Sequence, residues 1–179
     1  MSYVGTQVGQ VFVEAEVVQG TSDSVVAFWD ALAARARGQK DSRLTEIGRR
    51  GERLSLAYEL ARTGHPPKWV SLESNRDGFD ILSIVDSGDS RMLSIEVKTS
   101  TRTTGAEIFL TSNEWIHALD AANHCFHVWL LLGTTKPTLA ILEVADIINH
   151  VPRNAGAGAW NSMSLPLDGF SEKFAEFSP

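Results

Sequence analysis

The sequence predicts an α/β protein, a mixed central β-sheet flanked by helices. Three observations predict it. Segments with helical spacing of apolar residues alternate along the chain with short segments rich in Val, Ile and Phe, an order that lays helices on the faces of a sheet. Residues 79–86 and 91–98 flank Ser87-Gly88-Asp89-Ser90, whose Gly and Asp suit a tight hairpin turn. The run Phe126-His127-Val128-Trp129-Leu130-Leu131-Leu132 is nearly continuously apolar, as a central strand buried on both faces requires.

Taken in order, the first forty residues read as an accessory piece. Val11, Val13, Ala15 and Val17 alternate with Phe12, Glu14, Glu16 and Val18, which predicts a half-buried strand. Thr21-Ser22-Asp23-Ser24 offers N-caps for a helix whose Val25, Phe28, Trp29, Leu32 and Ala36 fall on one stripe, with Gly38 as its stop. Packing on the core, dimerisation and service as the tail of a longer parent protein are all compatible with this piece. Asp41-Ser42 then caps a second helix, with Leu44, Ile47, Leu54, Tyr58 and Ala61 as its apolar stripe and Gly64 before Pro66-Pro67 as its end. Gly48 and Gly51 lie inside this helix at a cost of about 1 kcal/mol each relative to alanine, which points to close approach of a neighbouring backbone or of substrate.

A short strand over residues 68–72 and a turn-rich connector lead into the hairpin, where register decides the chemistry. A two-residue Gly88-Asp89 loop pairs Asp80 with Val97 and turns Asp80 away from Glu96 and Lys98. A three-residue loop, a bulge near Asp80 or a bend at Gly78 would bring it round. Residues 99–105 read as a loop and 107–110 as a strand. Thr111-Ser112-Asn113-Glu114 then fits a capping box, which accounts for Glu114 without a catalytic role, and the helix continues through Trp115, Ile116, Leu119 and Ala122 with His117 on its surface. Strands over 126–132 and 138–143 and a short helix over 144–150 close the core. Beyond it, Pro152, Gly156, Gly158, Pro166 and Gly169 predict an irregular extension pinned by Trp160, Leu165, Phe170, Phe174 and Phe177. The expected division is an accessory piece 1–40, a core 41–151 and an extension 152–179.

Composition sets limits on function. A chain of 179 residues, 43% hydrophobic, can bury a sizeable core. No apolar run reaches the ~18 residues that span a bilayer, and the start resembles neither a signal nor a transit peptide, so the expected location is the cytoplasm, away from membranes. The single Cys125 excludes an internal disulfide and reads as a buried, inert thiol. A strand would split His124 and His127 between its two faces, which argues against zinc. The net charge of −6 argues against strong non-specific nucleic-acid binding. Basic charge is nonetheless concentrated between Ala34 and Lys68, where Arg35, Arg37, Lys40, Arg43, Arg49, Arg50, Arg53, Arg62 and Lys68 face four acidic residues. That stretch reads equally as a phosphate-tracking face or as a solvated helix with pairs such as Glu46 and Arg50.

The chemistry gathers at Asp77-Gly78-Phe79-Asp80 and Ile95-Glu96-Val97-Lys98. On a strand, Glu96 and Lys98 share a face while Ile95 and Val97 point into the core. Carboxylates suit hard divalent cations, and an ammonium beside such an ion can position a water, so these residue types fit metal-assisted hydrolysis of a phosphodiester.

Asp80 followed by Glu96-Val97-Lys98 resembles the D…ExK core of the PD-(D/E)xK nuclease superfamily, with Gly-Phe-Asp where that name has Pro-Asp. Ile47-Gly48-Arg49-Arg50-Gly51-Glu52 upstream and Leu110-Thr111-Ser112-Asn113-Glu114-Trp115 downstream resemble its NO VEIN C-terminal-like branch. Together these segments cover residues 44–151. The resemblance implies a restriction-endonuclease-like core and metal-dependent DNA cleavage, with Mg²⁺ or Mn²⁺ as cofactor. It makes Asp80 and Glu96 metal ligands, the Val97 carbonyl a third oxygen, Glu52 an outer or water-mediated ligand and Lys98 the residue that positions the attacking water, with Glu59 a weaker candidate on the same helix. Arg49, Arg50, Arg53 and Arg102 are the expected phosphate contacts. The implied setting is restriction, defence or other DNA processing, with DNA as partner, specificity supplied by a parent or partner protein, and a possible homodimer. The competing expectation is a catalytically silent module that uses the same fold to bind nucleic acid or a protein.

Overall fold

The computed structural model describes residues 12–13, 23–72, 78–102, 104–133, 136–153 and 158–178. Its elements run α1 (Asp23–Thr63), β1 (Lys68–Trp69), β2 (Ile81–Asp86), β3 (Asp89–Ser100), β4 (Glu107–Thr111), α2 (Ser112–Asp120), β5 (His124–Leu130), β6 (Thr138–Leu142), α3 (Val144–Ile147), a 3-10 turn (Ile148–His150), β7 (Ser162–Pro166), a second 3-10 segment (Asp168–Lys173) and β8 (Ala175–Glu176). Six strands form one mixed sheet in the order β1-β2-β3-β5-β6-β8. Its parallel pair is β3 with β5, Ile95 beside Cys125 and Lys98 beside Val128, and the other neighbours are antiparallel. A parallel neighbour needs a crossover, and the chain uses that crossover to carry β4 and α2. The mixed sheet flanked by helices is the architecture expected from the sequence.

The chain divides into two compact units, residues 1–44 and 45–179. In the first, Phe12 and Val13 are helical, so the expected strand does not pass through them; the rest of that strand lies outside the described residues. The Phe12 ring stacks on Trp29 at 5.7 Å, and Phe28 and Trp29 each keep about 40% of their surface exposed. One helix runs where two were expected. Ser42 Oγ donates back to Gly38 O at 2.9 Å instead of capping a new start, and a single glycine among Ala, Arg, Gln and Lys costs too little to break the helix.

Within the second unit, alternate residues of the strands divide the core between the two faces of the sheet. On one face Ile81, Ile95, Val97, Cys125 and Trp129 meet Leu54, Leu56 and Tyr58 of α1. Trp129 Nε1 donates to Ser55 Oγ at 2.8 Å, so the one polar atom of this buried indole is satisfied. The contact is close at Gly51, where an added Cβ would run into Thr99 Oγ1 and lie 3.4 Å from Val97. Gly48, expected to play the same part, faces open space. On the opposite face Phe126, Val128 and Leu142 pack under Trp115 and Ala118 of α2.

The expected irregular extension is more regular than its glycines and prolines suggested. Ser162–Pro166 alternates exposed and buried residues, pairs with β4 along its length and sends Met163 and Leu165 into the core beside Leu167 and Phe170. The strand expected over 68–72 shortens to two residues, after which the Val70 and Ser71 amides both donate to Asp80 O, at 2.8 and 3.1 Å.

Candidate active site

The hairpin register is set by a bulge at its turn. Ile81 pairs with Ile95 and Ile84 with Met92, but Asp86 pairs with Asp89 around a Ser87-Gly88 turn, so Val85 alone faces both Ser90 and Arg91. That extra residue moves the ladder by one. The ladder ends with Ile81 opposite Ile95, so the pairing of Asp80 with Val97 expected from a simple two-residue loop does not form. The bulge lies at the turn, at the far end of β2 from Asp80.

At Asp80 the chain leaves the ladder. Its amide donates to Ile95 O at 3.0 Å, and its carboxylate Oδ2 accepts from Val97 N at 2.8 Å, taking the place of a strand carbonyl. The approach is fixed from the α2 side. Gly78 has φ +74° and a Cβ there would come within 3.0 Å of His117 Cβ, while the Phe79 ring stacks on the His117 ring at 4.8 Å. His117, expected on the surface, is therefore half-buried.

Glu96 and Lys98 lie on the α2 face of β3. The Lys98 Nζ sits 2.8 Å from Glu96 Oε1 and 2.8 Å from Glu114 Oε2. Glu114 also completes the expected capping box, with Oε2 accepting from Thr111 N at 2.9 Å. The capping reading was sufficient for the sequence pattern and so concealed this second contact; the motif position of Glu114 was the signal. Glu52 comes from the α1 side and is nearly buried. Its Oε2 accepts from Arg49 at 2.7 Å, from Ser71 Oγ at 2.5 Å and from Trp69 Nε1. Trp69 and Ser71 were not anticipated. A cleft of about 260 Å³, bordered by Ser71, Phe79, Asp80, Glu96, Asn113 and Glu114, opens at this junction.

Burial dominates the electrostatics. It pushes Asp80 up to about 6, with Glu52 and Glu114 adding to the rise against the Val97 amide and Lys98. Burial also holds Glu96 well above the ordinary carboxylate value, opposed mainly by Lys98. For Lys98 burial works against the ammonium, but Glu96 and Glu114 outweigh it and keep the group charged.

The expected phosphate contacts differ in their engagement. Arg49 is tied to Glu52 and Ser71, and Arg102, exposed, pairs with Glu107 at 2.9 Å. Arg50 and Arg53 are exposed, with the Arg53 guanidinium 5.8 Å from the Trp69 ring centre. Glu59 lies away from the cleft. It is fully buried, held by Arg62 at 2.6 and 3.0 Å, and Arg62 continues to the Ile84 and Val85 carbonyls, pinning α1 to β2. Cys125 is buried and pushed by burial up to about 12.

No group of three or more His, Cys, Asp or Glu side chains that could hold a metal ion occurs among the described residues. Two buried carboxylates whose charge is disfavoured by their surroundings still fit Mg²⁺, which binds through one or two carboxylates, keeps several waters and takes further oxygens from a phosphate. No helix among the described residues is long and apolar enough to cross a membrane.

Fold and cleft together describe a mixed-sheet α/β protein with buried carboxylates and a lysine gathered where the chain enters β2. Its lineage is given by comparison: the family described as Protein NO VEIN, C-terminal, matches residues 51–142, more than half of the chain, and the chain belongs to that family. No curated protein sequence matches it. Among solved structures it is similar to Hjc from Archaeoglobus fulgidus, a Holliday junction resolvase, at 20% identity and a TM-score of 0.44 over 72% of this chain and 90% of that one.

Proposed function

We propose that this chain is a Mg²⁺- or Mn²⁺-dependent DNA endonuclease domain that hydrolyses phosphodiester bonds at the Asp80–Glu96–Lys98 cleft. The observation that carries the reading is that Asp80 and Glu96 border one cleft, with Asp80 Oδ2 on the Val97 amide and Lys98 Nζ on Glu96. Asp80 and Glu96 hold the ion. In a hydrogen-bonded strand pair a residue offers its N–H and C=O to the same neighbour, and the Val97 N–H reaches Asp80, so its carbonyl lies on that edge as a third oxygen. Glu52, held by Arg49, Trp69 and Ser71, acts from outside the first ring of ligands. When bound, the ion polarises the phosphoryl oxygen and lowers the pKa of its water. An ammonium has three donors. Lys98 directs two at Glu96 and Glu114, and the third orients the attacking water. Arg50 and Arg53 hold neighbouring phosphates, with Arg102 beyond the end of β3. A restriction, defence or DNA-processing setting in the cytoplasm, with a parent or partner protein or a second copy supplying specificity, rests on the family resemblance.

One observation favours the silent binding module instead: the Asp80–Val97 bond and the Glu96–Lys98–Glu114 bridge already satisfy the site internally. The two readings part in a single series. Calorimetric titration with Mg²⁺ or Mn²⁺ should show binding that Asp80→Asn and Glu96→Gln abolish, and supercoiled, linear or single-stranded DNA should be cut in its presence. Ion binding unchanged in both variants rejects the site.

A further inference from the structure

We infer that Glu114 is a positioning residue for Lys98: a second carboxylate that keeps the ammonium beside the cleft when Glu96 turns to a metal ion. The inference rests on the nuclease reading for its purpose and on local geometry for its substance. Lys98 reaches across from β3 to α2, and its side chain is only 16% exposed. If Glu96 were its single partner, the residue asked to bind the ion would be the same one that fixes the ammonium. A lysine side chain released from its partner recovers rotamer freedom and leaves its position. Glu114 prevents this, because its own carboxylate is immobilised. Oε2 accepts from the Thr111 amide at 2.9 Å, and the Glu114 amide returns a bond to Thr111 Oγ1 at 3.3 Å, while the first turn of α2 favours a negative side chain. The capping box thus builds a rigid anion that faces Lys98 at 2.8 Å. Positioning by charge-assisted hydrogen bonds of this kind is directional as well as strong.

The test separates capping from positioning. Glu114→Gln keeps a side-chain oxygen for the Thr111 amide and removes the charge that holds Lys98. In ion-free protein carrying ¹⁵N-lysine, the Lys98 ammonium protons should exchange with water about tenfold faster or more in this variant, as expected for loss of a charged hydrogen bond. In the cleavage assay kcat should fall by about tenfold or more with KM within about twofold. Unchanged exchange, or unchanged kcat in a protein that cuts, overturns the inference and leaves Glu114 as a helix cap. If the unsubstituted protein cuts no DNA, faster exchange upholds the positioning while the nuclease reading falls. Should the Gln variant not fold, Glu114→Asp, which keeps the charge but withdraws it by one methylene, is read in the same two ways.

Discussion

Replacing Asp80 with asparagine should stabilise the ion-free protein at neutral pH while removing its response to metal. Burial raises the Asp80 pKa from 3.8 to about 6. The folded state therefore binds a proton more tightly than the unfolded chain, and between those values folding takes up protons. The Asp80 contribution to stability is then highest below about pH 4, falls as pH rises through the window and is lost above about 6. A hundredfold difference in proton affinity, at 1.36 kcal/mol per tenfold, amounts to about 3 kcal/mol. Asparagine keeps an oxygen for the Val97 amide and carries no charge to desolvate, so the variant should gain about 2–3 kcal/mol over the parent at about pH 8 and little at about pH 4. Urea unfolding across this range reads the difference directly. Mg²⁺ at about 100 times its Kd should in turn stabilise the parent by about 2.7 kcal/mol and the variant not at all. A variant that is less stable than the parent at about pH 8, or whose difference does not change with pH, would refute the claim that Asp80 is a buried carboxylate held for a cation.

Other outcomes follow from the same geometry. Lys98→Ala should lower metal-dependent cleavage at least ~100-fold, about 2.7 kcal/mol of transition-state stabilisation, and because Lys98 is a mostly buried partner of two carboxylates it should also cost about 3 kcal/mol of ion-free stability; equal cutting sinks the mechanism. Gly51→Ala should destabilise by about 2 kcal/mol through overpacking against Thr99, and Thr99→Ala in the same chain should recover part of it; a net gain from better helix propensity would mean α1 does not approach β3 so closely. Arg50→Ala with Arg53→Ala should reduce the log–log salt slope of DNA affinity by nearly 2, whereas Arg49→Ala, which breaks the contact to Glu52, should act on stability; an unchanged slope in the double variant leaves that helix face merely solvated.

Much of the site could be read in the residue types and their spacing, because Glu96 and Lys98 must share a face of any strand that contains them. The position of Asp80 could not, since it depends on how the chain enters β2 beside Ile95 and Val97, and on a register shifted at Ser90-Arg91, which carries no local mark of a bulge. The capping box accounts for Glu114 in the sequence, and only the fold brings Lys98 to 2.8 Å from it. Helix α1 passed through Gly38 because the local cost of glycine is small compared with the propensity of the residues around it. The C-terminal strand is masked for the opposite reason: glycines and prolines surround the short period-two pattern of Ser162–Pro166.

That strand lies outside the part of this protein that the family model matches. The family match ends at Leu142, yet β4, which delivers the chain to Thr111 and so to Glu114, is paired along its whole length by Ser162–Pro166, and the Ser112 amide is held by Asn161 O at 2.9 Å. Met163, Leu165, Leu167 and Phe170 supply part of the floor beneath α2. A chain cut at the edge of the match would keep every residue of the D…ExK pattern and lose the brace that holds α2 over it. The family match covers the residues that line the cleft, while part of the framework they are fixed to is furnished by sequence beyond it.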